Sequence, residues 1–239
     1  MPVVKENEPF IGSGIGYLDG RDGGNFSEIN FAIEKETKPL KNYRGGGGNA
    51  ATHERITGVR LSMKVHSAGV ENLALMLRAK VDNKVSEAVT DQPITASLGR
   101  LVSTPHMINT SQPVTIKDGA TEIAREGNFD VSAAGIIFNM NAAAITDAMA
   151  LTVSYTSQGA DVLQVLTESA IEIPVVIDGV NDYTGKPHVV KVHRFKPDIA
   201  TALSLITEDF AEYNLEGEVL ADSTKGVGKS QFFEKAVAN

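Results

Sequence analysis

Apolar and polar residues alternate with a period of two most strongly over residues 26–37, FSEINFAIEKET. Ile29, Phe31 and Ile33 fall on one face, and Glu28, Asn30, Ala32, Glu34 and Glu36 on the other. This is the pattern of a half-buried strand, whose side chains point alternately to its two faces. A polar connection follows, with Pro39 and the run Gly45, Gly46, Gly47 and Gly48. Alternation resumes from Arg55 as RITGVRLSMKVH, with Val59, Leu61, Met63 and Val65 opposed to Arg60, Ser62, Lys64 and His66. Two amphipathic strands joined by a glycine-rich tip predict one long β-hairpin over 26–66. The tip exceeds a tight two-residue turn, so it is expected to move or to be ordered by a neighbour. A glutamate of the first strand opposite Arg60 or Lys64 would pair across the ribbon. The next stretch, SAGVENLALMLRA, predicts a short helix over 67–79 with Ser67 as N-cap and Leu73, Leu75, Met76 and Leu77 as its apolar side.

The flanking segments are less sharply patterned. Residues 1–25 are rich in glycine, proline and charge, and predict an N-terminal arm, frayed or ordered against another subunit. Residues 80–104 read as a polar linker followed by weakly apolar pieces. An Asp118-Gly119 turn signal and the alternating run MALTVSYT over 149–156 suggest a β-meander in the middle of the chain. Residues 160–168 fit strand or helix. EIPVVIDGV over 172–180 and HVVKVHRFK over 188–196 predict a strand and its return. Asp198 is a candidate cap for a helical turn over 198–205. Residues 213–220 alternate again, with Tyr213, Leu215, Gly217 and Val219 on one face, and 222–239 read as a loop and tail.

With 239 residues, 42% of them hydrophobic, the chain can bury a sizeable core. One β-rich domain over 1–239, or one with a small inserted subdomain, fits that length. Twenty-two glycines and 6% aromatics suit long strands and many turns. The absence of cysteine excludes disulfides, thiol catalysis and cysteine-ligated zinc. The start, MPVVKENEPF, has neither a basic nor an apolar leader region, so no signal segment is expected. The most apolar stretch, 131–155, is interrupted by Asn139, Asn141 and Asp147, against a membrane-spanning helix. A net charge of −8 argues against a surface that grips nucleic-acid phosphates.

Two long patterns in a fixed order resemble a known family. They are EINFAIE over 28–34, a Gly-rich tip, RITGVRLSM over 55–63 and VENLAL over 70–75, then SLITEDF over 204–210 and LEGEVLAD over 215–222 with Lys225, Gly226, Phe232 and Phe233. In these residues the chain resembles the major tail (tail tube) proteins of long, non-contractile-tailed bacteriophages; 80–170 is much less diagnostic. The resemblance implies a mainly β (α+β) fold: a tail-tube-type β-sandwich or barrel with a long lumen-lining hairpin, one short flanking helix and extended terminal arms. It implies hexameric rings stacked into a virion tail tube, assembled in the host cytoplasm, through which double-stranded DNA leaves without specific binding. The implied partners are copies of the chain itself, the tape measure protein, the tail terminator and distal tail or baseplate proteins, with no membrane. The lumen-facing candidates are Glu28, Asn30, Glu34, Glu36, Arg60, Ser62 and Lys64. Gly45, Gly46, Gly47 and Gly48 are candidates for inter-ring or inter-subunit contacts. The bore is expected to be polar and mostly acidic, with Arg60 and Lys64 working against that sign.

Other chemistry finds little support. The run Gly226-Val227-Gly228-Lys229-Ser230 suggests a phosphate-binding loop, but Ser223 stands where that pattern needs glycine. Gly12, Gly14 and Gly16 follow no predicted strand, as a dinucleotide site would require. The loop over 19–25 lacks calcium-ligand spacing. His188 and His193, five apart on one strand, point to opposite faces. No catalytic, metal or cofactor site is therefore expected. The inner tube of a contractile tail or injection system is the nearest rival, and a secreted β-rich binding module the more distant one.

Overall fold

The computed structural model describes residues 9–67 and 69–238. The fold is mainly β, with several sheets and one short helix. The chain splits into two compact units, 1–80 with 164–239, and 81–163. Of the two domain readings, this is the one with an inserted subdomain.

In the first unit, β1 (Gly12–Leu18), β2 (Arg21–Asp22), β3 (Phe26–Lys41), β4 (Asn49–Val65) and the helix α1 (Val70–Leu77) come before the insert. The insert holds β5 (Lys80–Lys84), β6 (Ala88–Thr95), β7 (Leu101–Ser103), β8 (Thr115–Asp118), β9 (Thr121–Ile123), β10 (Phe129–Ser132), β11 (Gly135–Phe138), β12 (Ala150–Thr156) and β13 (Ala160–Gln164). The chain then returns through β14 (Ile173–Asn181), β15 (Lys186–Pro197), β16 (Tyr213–Val219) and β17 (Phe233–Val237).

The first unit is one sheet in the order β2-β1-β14-β15-β16-β4-β3, with β17 also paired to β15. The length of β15 allows this: residues 188–192 carry β17 and 195–197 carry β16. The sheet folds over, so that Phe31 of β3 stacks on Phe233 of β17 with ring centroids 4.5 Å apart. Leu61, Met63, Phe195, Leu215 and Val219 form the core beneath it.

In the insert, β6, β12, β8 and β9 form one sheet, and β10, β11 and β7 another. The Asp118-Gly119 signal is the two-residue β8–β9 turn, with Gly119 at φ +56°. Leu151, Val153 and Tyr155 face a core containing Phe129, Ile136 and Phe138, as the alternation predicts. Residues 160–164 resolve as strand rather than helix.

Four expectations change. Of the predicted arm over 1–25, residues 1–8 lie outside the described residues, and 12–18 form β1, paired along its length with β14. Glycine is what lets β1 lie so close: a Cβ on Gly14 would sit 2.3 Å from the Asp178 carbonyl oxygen. The helix is shorter than 67–79. Its N-cap is Gly69 without a side-chain bond, while Ser67 Oγ accepts from the Asn25 backbone N–H. Residues 198–205 make no helical turn; the Asp198 carboxylate is drawn to Arg60 at 2.6 Å. The tail over 222–239 is no loose end, because 233–237 pair with β15.

Candidate functional site

The strands of the hairpin run further than their alternation, to Lys41 and from Asn49. Of three register shifts along the ribbon, the two nearer its base tune which faces meet. The pairing passes from Phe26↔Val65 to Glu28↔Lys64, so Ser27 is an extra residue on β3. That bulge turns Phe26 to the same side as Ile29, although a strict period of two would place it beside Glu28. Further out, Glu34↔Gly58 is followed by Lys35↔Ile56, leaving Thr57 unpaired and reversing the phase of β4. Arg55 therefore faces with Glu36, and Ile56 with Lys35.

These bulges divide the ribbon in two. In the proximal half Val59, Leu61, Met63 and Val65 are buried, with Ile29 and Phe31 packed against the same core. In the distal half, residues 32–41 and 49–57 are exposed on both faces, including Leu40 (57%) and Ile56 (57%). Tyr43 at the tip is 85% exposed. From Lys35 to Lys41 this arm extends about 20 Å at strand rise. The tip makes hydrogen bonds within itself. The Asn42 N–H donates to Gly48 O at 3.0 Å, its Nδ2 to Gly45 O at 2.9 Å, and its Oδ1 accepts from the Arg44 N–H. Gly45, Gly46, Gly47 and Gly48 all take positive φ, from +71° to +93°, which explains a run of residues without Cβ.

The sequence-predicted polar positions come together as one surface. Glu28 opposes Lys64, Asn30 opposes Ser62, Ala32 opposes Arg60, and Glu34 opposes Gly58. Lys64 Nζ lies 2.8 Å from Glu28. That hydrogen bond, with a second from Asn30 Nδ2, holds the Glu28 carboxyl below its usual range and raises Lys64 above its own. Arg60, on β4, reaches away from β3 and over β16 to Asp198; that hydrogen bond raises its pKa against the opposing effect of desolvation. Glu36 keeps the face of Glu34, where Lys38 lies 3.5 Å away.

The alternation of one ribbon could not reveal what β16 adds. It pairs with β4 on the side away from β3, placing Glu216 opposite Ser62 and Glu218 opposite Arg60. Asn214, Glu216 and Glu218 thus extend the polar face by a strand, and Asp198 caps it from the loop that precedes β16. On that face Glu28, Glu34 and Glu36 stand with Arg60 and Lys64, and Glu216, Glu218 and Asp198 add to the acidic side; over both faces together, residues 26–66 hold seven Lys and Arg against four Glu. Of these, Lys35 is tied to Glu54 at 3.2 Å.

Among the described residues no cluster of three or more His, Asp or Glu is placed to hold a metal ion. No described helix is long and apolar enough to cross a membrane. The Gly226–Ser230 run lies in turns and leads into strand β17 rather than a helix.

Residues 9–235 match the profile of a family described as a protein of unknown function, UCP028589, and the chain belongs to that family. No curated protein matches it.

Proposed function

We propose that this chain is a structural subunit whose copies close into rings and stack into a tube, and that the tube is the tail tube of a long, non-contractile-tailed bacteriophage. The observation that carries the reading is the distal half of the hairpin. It exposes Leu40, Tyr43 and Ile56, and β3 ends the sheet with its second edge unpaired among the described residues. A free edge of 16 residues is a template for further pairing. An isolated two-stranded ribbon is marginal in water. Sister ribbons side by side meet both needs, and around a closed ring no edge is left over.

In that arrangement the face with Glu28, Asn30, Glu34, Glu36, Arg60, Ser62 and Lys64 lines the bore, and the face with Ile29, Phe31, Leu61 and Met63 backs onto the subunit cores. Three cations of the wall are already engaged: Lys64 by Glu28, Arg60 by Asp198, and Lys38 by Glu36. Cations already paired release few counterions from DNA, so duplex passes without holding points. No step in this role requires catalysis, a metal or a cofactor.

Negative-stain microscopy of the purified protein at high concentration tests the reading. Hollow rings or tubes are expected; a dispersed monomer would contradict it.

A further inference from the structure

The first unit carries both an unfilled groove and an unburied plug. The groove, of about 330 Å³, opens along the free edge of β1 at Gly12 and Gly14. Phe26, Ile29, Phe31, Ile177, Val190 and Phe233 make its apolar walls. Two polar groups line it without a full set of partners. His188 is buried, and its Nδ1 has no hydrogen-bond partner. Lys235 Nζ lies 4.8 Å from the centroid of Phe10, with no carboxylate partner among the described residues.

The plug is the loop over 198–212, between β15 and β16. Its path is fixed: Ala200 N–H donates to Met76 O at 2.9 Å, Thr207 Oγ1 to Asp209 O at 2.6 Å, and Tyr213 Oη to Ser204 O at 3.3 Å. Yet it turns Leu205 (83% exposed), Ile206 (98%) and Phe210 (95%) to solvent. Such a cluster on a held loop marks a contact surface. The loop contains no Lys or Arg. Asp198 and Glu212 lie within 4 Å of Arg60 and His66 respectively, whereas Glu208 and Asp209 make no ion pair among the described residues.

We infer that the 203–210 loop of one copy seats in the β1–β3 groove of the next. Apolar side chains meet apolar walls, and Glu208 and Asp209 meet Lys235 and His188. A copy does not fill its own groove: no residue of 198–212 lines it, and the loop leaves β15 at Pro197, nine residues and about 30 Å of strand from His188. Loop-into-groove contact is heterologous, so each copy offers one of each and the contact propagates, as a ring or a stack. It rests on the assembly reading above and names the surfaces that join copies.

The chain has no cysteine, so engineered thiols report without background. Ile206→Cys protein is mixed with Ser27→Cys protein, or with Arg44→Cys protein as the rival site at the hairpin tip, and oxidised. Cross-linking to Ser27→Cys only in the mixture is expected. Ile206→Ser with Phe210→Ser should raise the concentration at which copies assemble by about tenfold or more. Tubes that form normally in that double variant, or cross-linking to the tip instead, overturn the contact while leaving assembly intact. A wild-type chain that stays monomeric, with no cross-link in either cysteine mixture, overturns both.

Discussion

The two halves of the hairpin share strands and a register, yet differ in every physical respect that decides their fate. The proximal half has a core behind it. Val59, Leu61, Met63 and Val65 are buried there, and its ion pairs lie on the opposite face. The distal half has solvent on both sides and an excess of Lys and Arg over Glu between residues 34 and 56. The same secondary structure is therefore stabilised by a core of its own chain in one place and exposed on both faces in the other. On the proposed assembly, folding and association lie in successive stretches of a single ribbon, and substitutions should separate them.

The largest separation is expected in the proximal core. Leu61→Ala should cost about 2–5 kcal/mol of unfolding free energy, by chemical denaturation. Ile56→Ala, on the distal arm, should stay within about 0.5 kcal/mol in the same assay and instead weaken assembly. A distal change that unfolded the monomer would erase the distinction.

Next comes the edge that frames the groove. Gly14→Val must push β1 off β14, because a Cβ there meets the Asp178 carbonyl oxygen and Gly179 Cα at 2.3 and 2.6 Å. A loss of about 1–3 kcal/mol is expected, read from the thermal midpoint. Gly46→Ala at the tip, by contrast, touches nothing within 4 Å and carries only its strained φ of +89°. About 1–2 kcal/mol of local strain should appear as faster amide exchange around the tip, with global stability unchanged.

The smallest effect concerns the polar face. Glu28 is depressed in the folded state, so its contribution is present above the ordinary glutamate range and is lost as pH falls through the lowered value. Lys64 is raised, so its contribution is full below the ordinary lysine range and is lost as pH climbs through the elevated value. Glu28→Gln should flatten the acid limb of the stability profile between those bounds. An unchanged limb would show that the pair carries no linkage.

How much of this was legible in the sequence follows from the range of each interaction. Period-two alternation exposed both hairpin strands and a glutamate opposite Lys64, though not which one, and the one expected opposite Arg60 is Ala32, because register is not written in the alternation. The bulges at Ser27 and Thr57 were hidden, since each changes the face without breaking the pattern. Asp198 read as a helix cap, a local role; its partner Arg60 lies 138 positions away. The glycines of β1 read as an arm, frayed or ordered against another subunit, when they are what allows close approach to β14. Glu216 and Glu218 were visible as polar positions of their own strand, but only the β16–β4 register places them beside Ser62 and Arg60.

Amide hydrogen exchange at residues 34–56, followed as protein concentration is raised, tests most directly whether sister chains complete the distal arm. The account predicts rapid exchange when dilute and strong protection once copies assemble, with amides of 59–65 protected throughout. Distal amides equally protected at every concentration, or still unprotected in assembled material, would contradict it.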